Sequence, residues 1–128
     1  MALASDVLRR SLSLHIARDG KILSLCITED CLFVSHQEGI SKVGLETRAI
    51  VLVVKLPNET CVLARFGADI LFTNQKTSSV WHLKRCGDLE IFAGGEDGNL
   101  DGPAKTCKFK QPIGISVEFD SAVYVCDQ

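Results

Sequence analysis

Short apolar segments rich in Val, Ile, Leu and Phe alternate along this chain with turns built from Gly, Asp, Asn and Pro. Apolar runs of strand length bounded by such residues predict β-strands. Ten segments fit, at 22–28, 31–36, 39–45, 49–56, 61–66, 70–74, 79–84, 89–93, 113–117 and 122–126, and no stretch reads clearly as a helix. Residues 5–16 carry both periods: Val7, Leu8 and Leu12 suit a short helix behind a Ser5 or Asp6 cap, whereas Leu12, Leu14 and Ile16 alternate as in a strand. The alternation, followed by the Asp19-Gly20 turn, favours a strand for the second half.

The strands also repeat. Leu32-Phe33-Val34-Ser35-His36-Gln37 matches Ile70-Leu71-Phe72-Thr73-Asn74-Gln75, and both match Val123-Tyr124-Val125-Cys126-Asp127-Gln128. Upstream of each lies a second apolar stretch, Leu25-Cys26-Ile27, Leu63-Ala64-Arg65 or Ile115-Ser116-Val117, across a turn containing Asp30, Asp69 or Asp120. Each unit therefore opens with a hairpin. Downstream, Ile40-Ser41-Lys42-Val43 matches Val80-Trp81-His82-Leu83, and each is followed by a further apolar strand. Four strands per repeated unit is the plan of a propeller blade. The expected fold is all-β: a partial β-propeller of two four-stranded blades plus the first half of a third. The organisation expected is an N-terminal segment at 1–20, a degenerate blade at 21–57, a second blade at 58–95, and a connecting loop with half a repeat at 96–128.

The last third carries the clearest signature. It runs Gly94-Gly95, Asp101-Gly102, Phe109, Pro112-Ile113-Gly114-Ile115-Ser116-Val117 and Val123-Tyr124-Val125-Cys126-Asp127. This resembles an NHL repeat, whose pattern is a glycine pair, an Asp-Gly, an Ala-x-Phe, a Pro-x-Gly-Ile-x-Val and a Val-Tyr-Val-x-Asp. Cys107 replaces the Ala before Phe109, and Glu118 stands where the family often has Asp. The resemblance is strongest over 89–127, looser over 61–93 and weakest before that. The glycines suit the sharp connection from the outer strand of one blade to the inner strand of the next. Pro112 sits at a strand entry, where its missing N–H is tolerated. Asp127, at the end of a second strand, is placed to bond backbone N–H groups of the following turn, a job that His36 and Asn74 could share. Propellers use typically four to eight blades, so the remaining blades of the ring are expected as partners of these, and the isolated chain is expected to self-associate.

Composition narrows the functional classes. The formal net charge is −2 over 128 residues, which supplies no global field for nucleic acid or an anionic membrane. The longest apolar run, at 49–54, is too short to span a bilayer, and Asp6, Arg9 and Arg10 interrupt any leader-like stretch. No membrane association and a cytoplasmic location are the expectation. Six cysteines show no Cys-x-x-Cys pair and read as small apolar residues, because Cys26 aligns with Ala64 and Ser116, and Cys126 with Ser35 and Thr73.

Candidate chemistry is sparse. Asp97-Gly98-Asn99-Leu100-Asp101-Gly102 opens like a calcium loop, but Lys108 stands where the bidentate Glu is required. His15, His36 and His82 lack metal-ligand spacing, and Asn58-Glu59-Thr60 is a glycosylation acceptor only in a secreted protein. No cofactor fingerprint is present, so none is expected. Lys84 and Arg85 beside Trp81, with Lys105, Lys108 and Lys110 around Phe109, form the basic and aromatic mixture of an RNA-binding face. Resemblance to the NHL domains of tripartite-motif proteins implies instead a non-enzymatic scaffold holding a protein partner. RNA binding and a metal-dependent lyase- or hydrolase-like propeller enzyme are the alternatives. An enzyme would need polar groups where the inner strands face the channel, and Leu25, Leu63 and Ile115 suggest packing there. No RING or B-box zinc spacing occurs, so no ligase activity is assigned.

Overall fold

The structure is a computed structural model that describes residues 22–95, 107–119 and 122–127. The expectations for residues 5–16, His15, the calcium-like segment with Asp101 and Gly102, and Lys105 lie outside the described residues. Ten strands occur in chain order: β1 (Ile22–Ile27), β2 (Cys31–His36), β3 (Gly39–Gly44), β4 (Ile50–Lys55), β5 (Cys61–Phe66), β6 (Asp69–Asn74), β7 (Ser79–Leu83), β8 (Leu89–Gly94), β9 (Pro112–Glu118) and β10 (Ala122–Asp127). They form antiparallel sheets in the orders β1-β2-β3-β4 and β5-β6-β7-β8, with β9 paired to β10. The chain is a partial β-propeller, two four-stranded blades and half of a third.

The sheets stack because their strands are apolar on both faces. In β6, Ile70, Leu71 and Phe72 are all essentially buried, although alternate residues of a strand point to opposite sides. Ile70 and Phe72 pack with Leu63 against Cys26, Ile40 and Val54 of the first blade. Leu71 faces the other way and packs with Val80 and Ala93 against Ile115, Val123 and Val125 of the third unit. Fully burying a side chain of this kind contributes roughly 1.5–3 kcal/mol. Two hydrogen bonds also cross between the blades: Ser35 Oγ donates to the Cys61 carbonyl at 2.8 Å, and Leu63 N–H donates to Ser24 Oγ at 3.1 Å. Each pairs polar groups that would otherwise be left at a packed interface.

The repeat extends to irregularities. In the first blade Ile40 opposes Val54 while Ser41 opposes Leu52, leaving Val53 as a bulge. In the second, Val80 opposes Ala93 while Trp81 opposes Ile91, leaving Phe92 as a bulge at the matching place. Both bulges lie on the outermost strand, where they raise local twist and spoil the edge for further pairing.

The same alignment corrects one expectation about the inner strands. Leu63 is 6% exposed and Ile115 packs against the second blade, but Leu25 is 52% exposed. The three hold one register position, opposite Phe72, Val125 and Val34 respectively. Leu63 and Ile115 are covered because a blade lies in front of them, and Leu25 lies in the first described blade. Tyr124 shows the converse: it takes the place of Leu71 in its unit, yet is 59% exposed where Leu71 is 0%.

Candidate functional site

Two hairpin turns, β5–β6 and β9–β10, emerge side by side at one end of the sheets. Phe66 opposes Asp69, so the first turn is Gly67-Ala68, with Gly67 at φ 63°. Glu118 opposes Ala122, so the second turn is one residue longer, beginning at Phe119. Phe119 adopts φ 42°, a left-handed conformation that side chains other than Asn, Asp and Gly rarely take, and it is 95% exposed. A large aromatic ring in a strained backbone position and wholly in solvent is not explained by packing.

Between the turns lies a cleft of about 660 Å³ lined by Arg65, Gly67, Ser116, Val117, Glu118, Phe119 and Tyr124. Its size is within the range of small-ligand and peptide side-chain sites. Arg65 Nε donates to the Gly67 carbonyl at 3.0 Å, which ties the guanidinium to the turn. Tyr124 donates its hydroxyl to Glu118 Oε2 at 3.1 Å. The lining contains no imidazole and no thiol, so it offers a charge, a carboxylate and two aromatic rings for recognition.

The basic residues do not form one patch. Lys84 and Arg85 come after the end of β7 at the cleft's end of the sheet, since Arg85 N–H donates to Asp69 Oδ1 at 2.6 Å. Lys110 lies beyond the start of β7, where its carbonyl accepts Ser78 Oγ at 3.1 Å. Lys108 precedes it by two residues. Among the described residues of the expected basic surface, Lys84 and Arg85 thus sit at one end of β7 and Lys110 at the other. Lys84 Nζ lies 3.3 Å from Glu90, and Arg85 reaches Asp30 at 3.6 Å. Trp81 is half-buried between the blades, with Nε1 donating to Thr77 Oγ1 at 3.4 Å, and offers no stacking platform beside them.

Several described motif residues make contacts that shape the fold. At Gly94, φ 77°, an added Cβ would lie 2.7 Å from both the Phe109 ring and the Ser78 carbonyl, so the glycine lets Phe109 seat against the second blade. Gly95, at φ 107°, continues the turn and donates to that carbonyl at 3.0 Å. Pro112 is buried at the start of β9, and Gly114 faces Cys126 at ordinary contact distance. Asp127 reaches back along its own hairpin. Its carboxylate accepts the N–H of Lys110 at 2.9 Å and of Gln111 at 2.6 Å, which belong to the segment entering β9, while the turn that follows Asp127 lies outside the described residues. The reason is antiparallel pairing: Asp127 opposes Pro112 at the open end of the hairpin.

Asn74, its counterpart, does both jobs: Oδ1 accepts Lys76 and Thr77 N–H at 3.0 and 3.3 Å, and Nδ2 donates to Glu59 at 3.1 Å. His36 accepts Glu38 N–H at Nδ1 at 3.2 Å, so its proton is on Nε2, which donates to Ser41 Oγ at 2.7 Å. His82 Nε2 pairs with Asp69 at 2.8 Å. Both described histidines are thus engaged within their own blades, and no cluster of three or more metal-ligating side chains occurs among the described residues. Cys26 and Cys61 are buried as expected, whereas Cys86 and Cys126 are exposed. Cys126 lies open because, like Tyr124, it faces away from the second blade. No helix among the described residues is long and apolar enough to cross a membrane.

No family model matches the chain, and no curated protein matches it. Among solved structures it is similar, over 87% of its length, to a structural-genomics protein of unknown function from Bacteroides thetaiotaomicron, with a TM-score of 0.71 and 22% identity. The likeness is one of fold. The chain spans 31% of that protein's length.

Arg65, Glu118 and Phe119 escape a reading by motif. A signal was present: aligning Val123 with Ile70 and Ser116 with Ala64 leaves one extra residue in the third hairpin, in a turn that contains an aromatic side chain.

Proposed function

We propose that this chain belongs to an NHL-type β-propeller and acts as a non-catalytic scaffold that holds a protein partner at the end of the sheets bearing the β5–β6 and β9–β10 turns. The family part of the reading is supported by the Gly94-Gly95, Phe109, Pro112, Gly114 and Tyr124-Val125-Cys126-Asp127 pattern and by the contacts that Gly94, Phe109, Val125 and Asp127 make. The partner-binding part is carried by one observation, the 95% exposed Phe119 in a left-handed turn beside the Arg65 cleft. Backbone strain persists where the surroundings hold it and clusters at ligand-binding positions. Exposed aromatic and Arg side chains are the residue types that dominate protein interfaces.

Selection of a random displayed peptide library on the immobilised chain tests this reading. The enriched peptides should bind at least about tenfold more weakly to Phe119→Ser and unchanged to Lys55→Gln, as expected for loss of one hot-spot side chain. No enrichment over an unrelated β-sheet protein, or enriched peptides indifferent to Phe119, would overturn it.

A further inference from the structure

The charges around the cleft are unevenly spent. Lys84 is matched by Glu90 and Arg85 by Asp30, each from this chain. Arg65 makes no ion pair among the described residues; its hydrogen bond from Nε to the Gly67 carbonyl anchors the group and leaves the two terminal nitrogens of the fork for another acceptor. A guanidinium so oriented presents parallel donors that match a carboxylate. The exposed ring of Phe119 lines the same cleft and offers an apolar surface.

Not every lining residue belongs in the binding set. Tyr124, paired with Ser116, holds the register position of Leu71, which the adjoining unit covers in the second blade. Arg65, Glu118 and Phe119 lie at the strand ends and the turn. Glu118 lines the same cleft and accepts the Tyr124 hydroxyl, so the lining pairs one guanidinium with one carboxylate, a balance that suits a single acidic side chain better than a polyanion such as a nucleic-acid backbone.

From these observations we infer that the cleft recognises an acidic linear peptide, in which an Asp or Glu carboxylate binds Arg65 and a neighbouring apolar side chain packs on Phe119. This rests on the protein-scaffold reading and gives it a specificity.

The experiment is the same library selection, run in parallel on the native chain and on Arg65→Glu and Arg65→Lys, each confirmed as folded by its β-sheet circular dichroism. Peptides enriched on the native chain should carry Asp or Glu next to an apolar or aromatic residue well above the frequency in the starting library. Replacing those acids by Asn and Gln should weaken binding about tenfold, Arg65→Lys should retain part of the preference, and Arg65→Glu should select a different, non-acidic set. Enriched peptides that depend on Phe119 but show no acidic bias, or that are shared by the native chain and Arg65→Glu, overturn this inference and leave the scaffold reading standing. Absence of any enriched peptide, or Phe119-dependent capture of a uridine oligonucleotide in place of peptides, overturns both.

Discussion

The imidazole Nε2 of His82 lies 2.8 Å from Oδ2 of Asp69, joining the end of β7 to the start of β6. The second carboxylate oxygen accepts Arg85 N–H, and the Phe66 ring packs edge-on against the imidazole at 5.5 Å. One aspartate thus fixes two turns at the cleft's end of the second blade.

This arrangement makes stability depend on acid. Burial raises the Asp69 pKa, but the Arg85 N–H, the His82 hydrogen bond and the positive charges of His82 and Lys84 outweigh it and hold the carboxyl below its usual range. A depressed folded pKa gives stability that is present above the unfolded value, about 3.9, and is lost as pH falls through the folded value. Urea midpoints measured from neutral pH to below pH 4 should therefore decline for the native chain and decline less steeply for Asp69→Asn. An unchanged acid limb in the variant would show that Asp69 is not one of the groups responsible.

Gly94 and Gly87 provide a contrast of close approach against backbone strain alone. Both have positive φ, 77° and 104°, but a Cβ at Gly94 would meet Phe109 and the Ser78 carbonyl, whereas Gly87 has nothing within 4 Å. Gly87→Ala should cost about 1 kcal/mol and Gly94→Ala roughly 2–4 kcal/mol. Urea midpoints of the two variants measured side by side check the order, and equal losses would contradict it.

The cysteines should separate by burial. Cys61 lies in the inter-blade core, where burial and then the Glu59 charge push its thiol up to about 12. Burial likewise raises Cys26 against the opposing pull of Arg65. At neutral pH, iodoacetamide treatment and mass spectrometry should find the exposed Cys86 and Cys126 labelled first and Cys61 unmodified until the chain unfolds.

Several large apolar side chains face solvent, among them Leu25, Ile27, Val51 and Ile91. Light scattering should show association that increases with concentration, reduced by Leu25→Ser and Ile27→Ser together. A concentration-independent monomer would contradict that expectation.

The strands were legible because each is short, apolar and bounded by a strong turn residue, and the blade plan came from the match between Leu32, Ile70 and Val123 and their neighbours. The features that escaped depend on which segments chain reversal brings together. Lys84 and Lys110 look like one patch beside aromatic residues, yet β7 runs between them. Asp127 reads as a cap for the next turn, and only its pairing with Pro112 reveals that its carboxylate accepts from Lys110 and Gln111. The bulges at Val53 and Phe92 carry no residue signal at all, since both are apolar like their neighbours and only the pairing of an outer strand reveals them. The extra turn residue before the Val123 strand was countable, but its meaning required the Arg65 cleft beside it.

Blade-upon-blade packing positions both turns and the cleft between them, and methyl-to-methyl nuclear Overhauser effects test it most directly. Ile40 should show cross-peaks to Leu63 and Ile70, and Leu71 to Val123 and Val125, contacts that join different sheets. Cross-peaks confined to residues of the same sheet, with none between Ile40 and Ile70 or between Leu71 and Val125, would contradict the propeller arrangement.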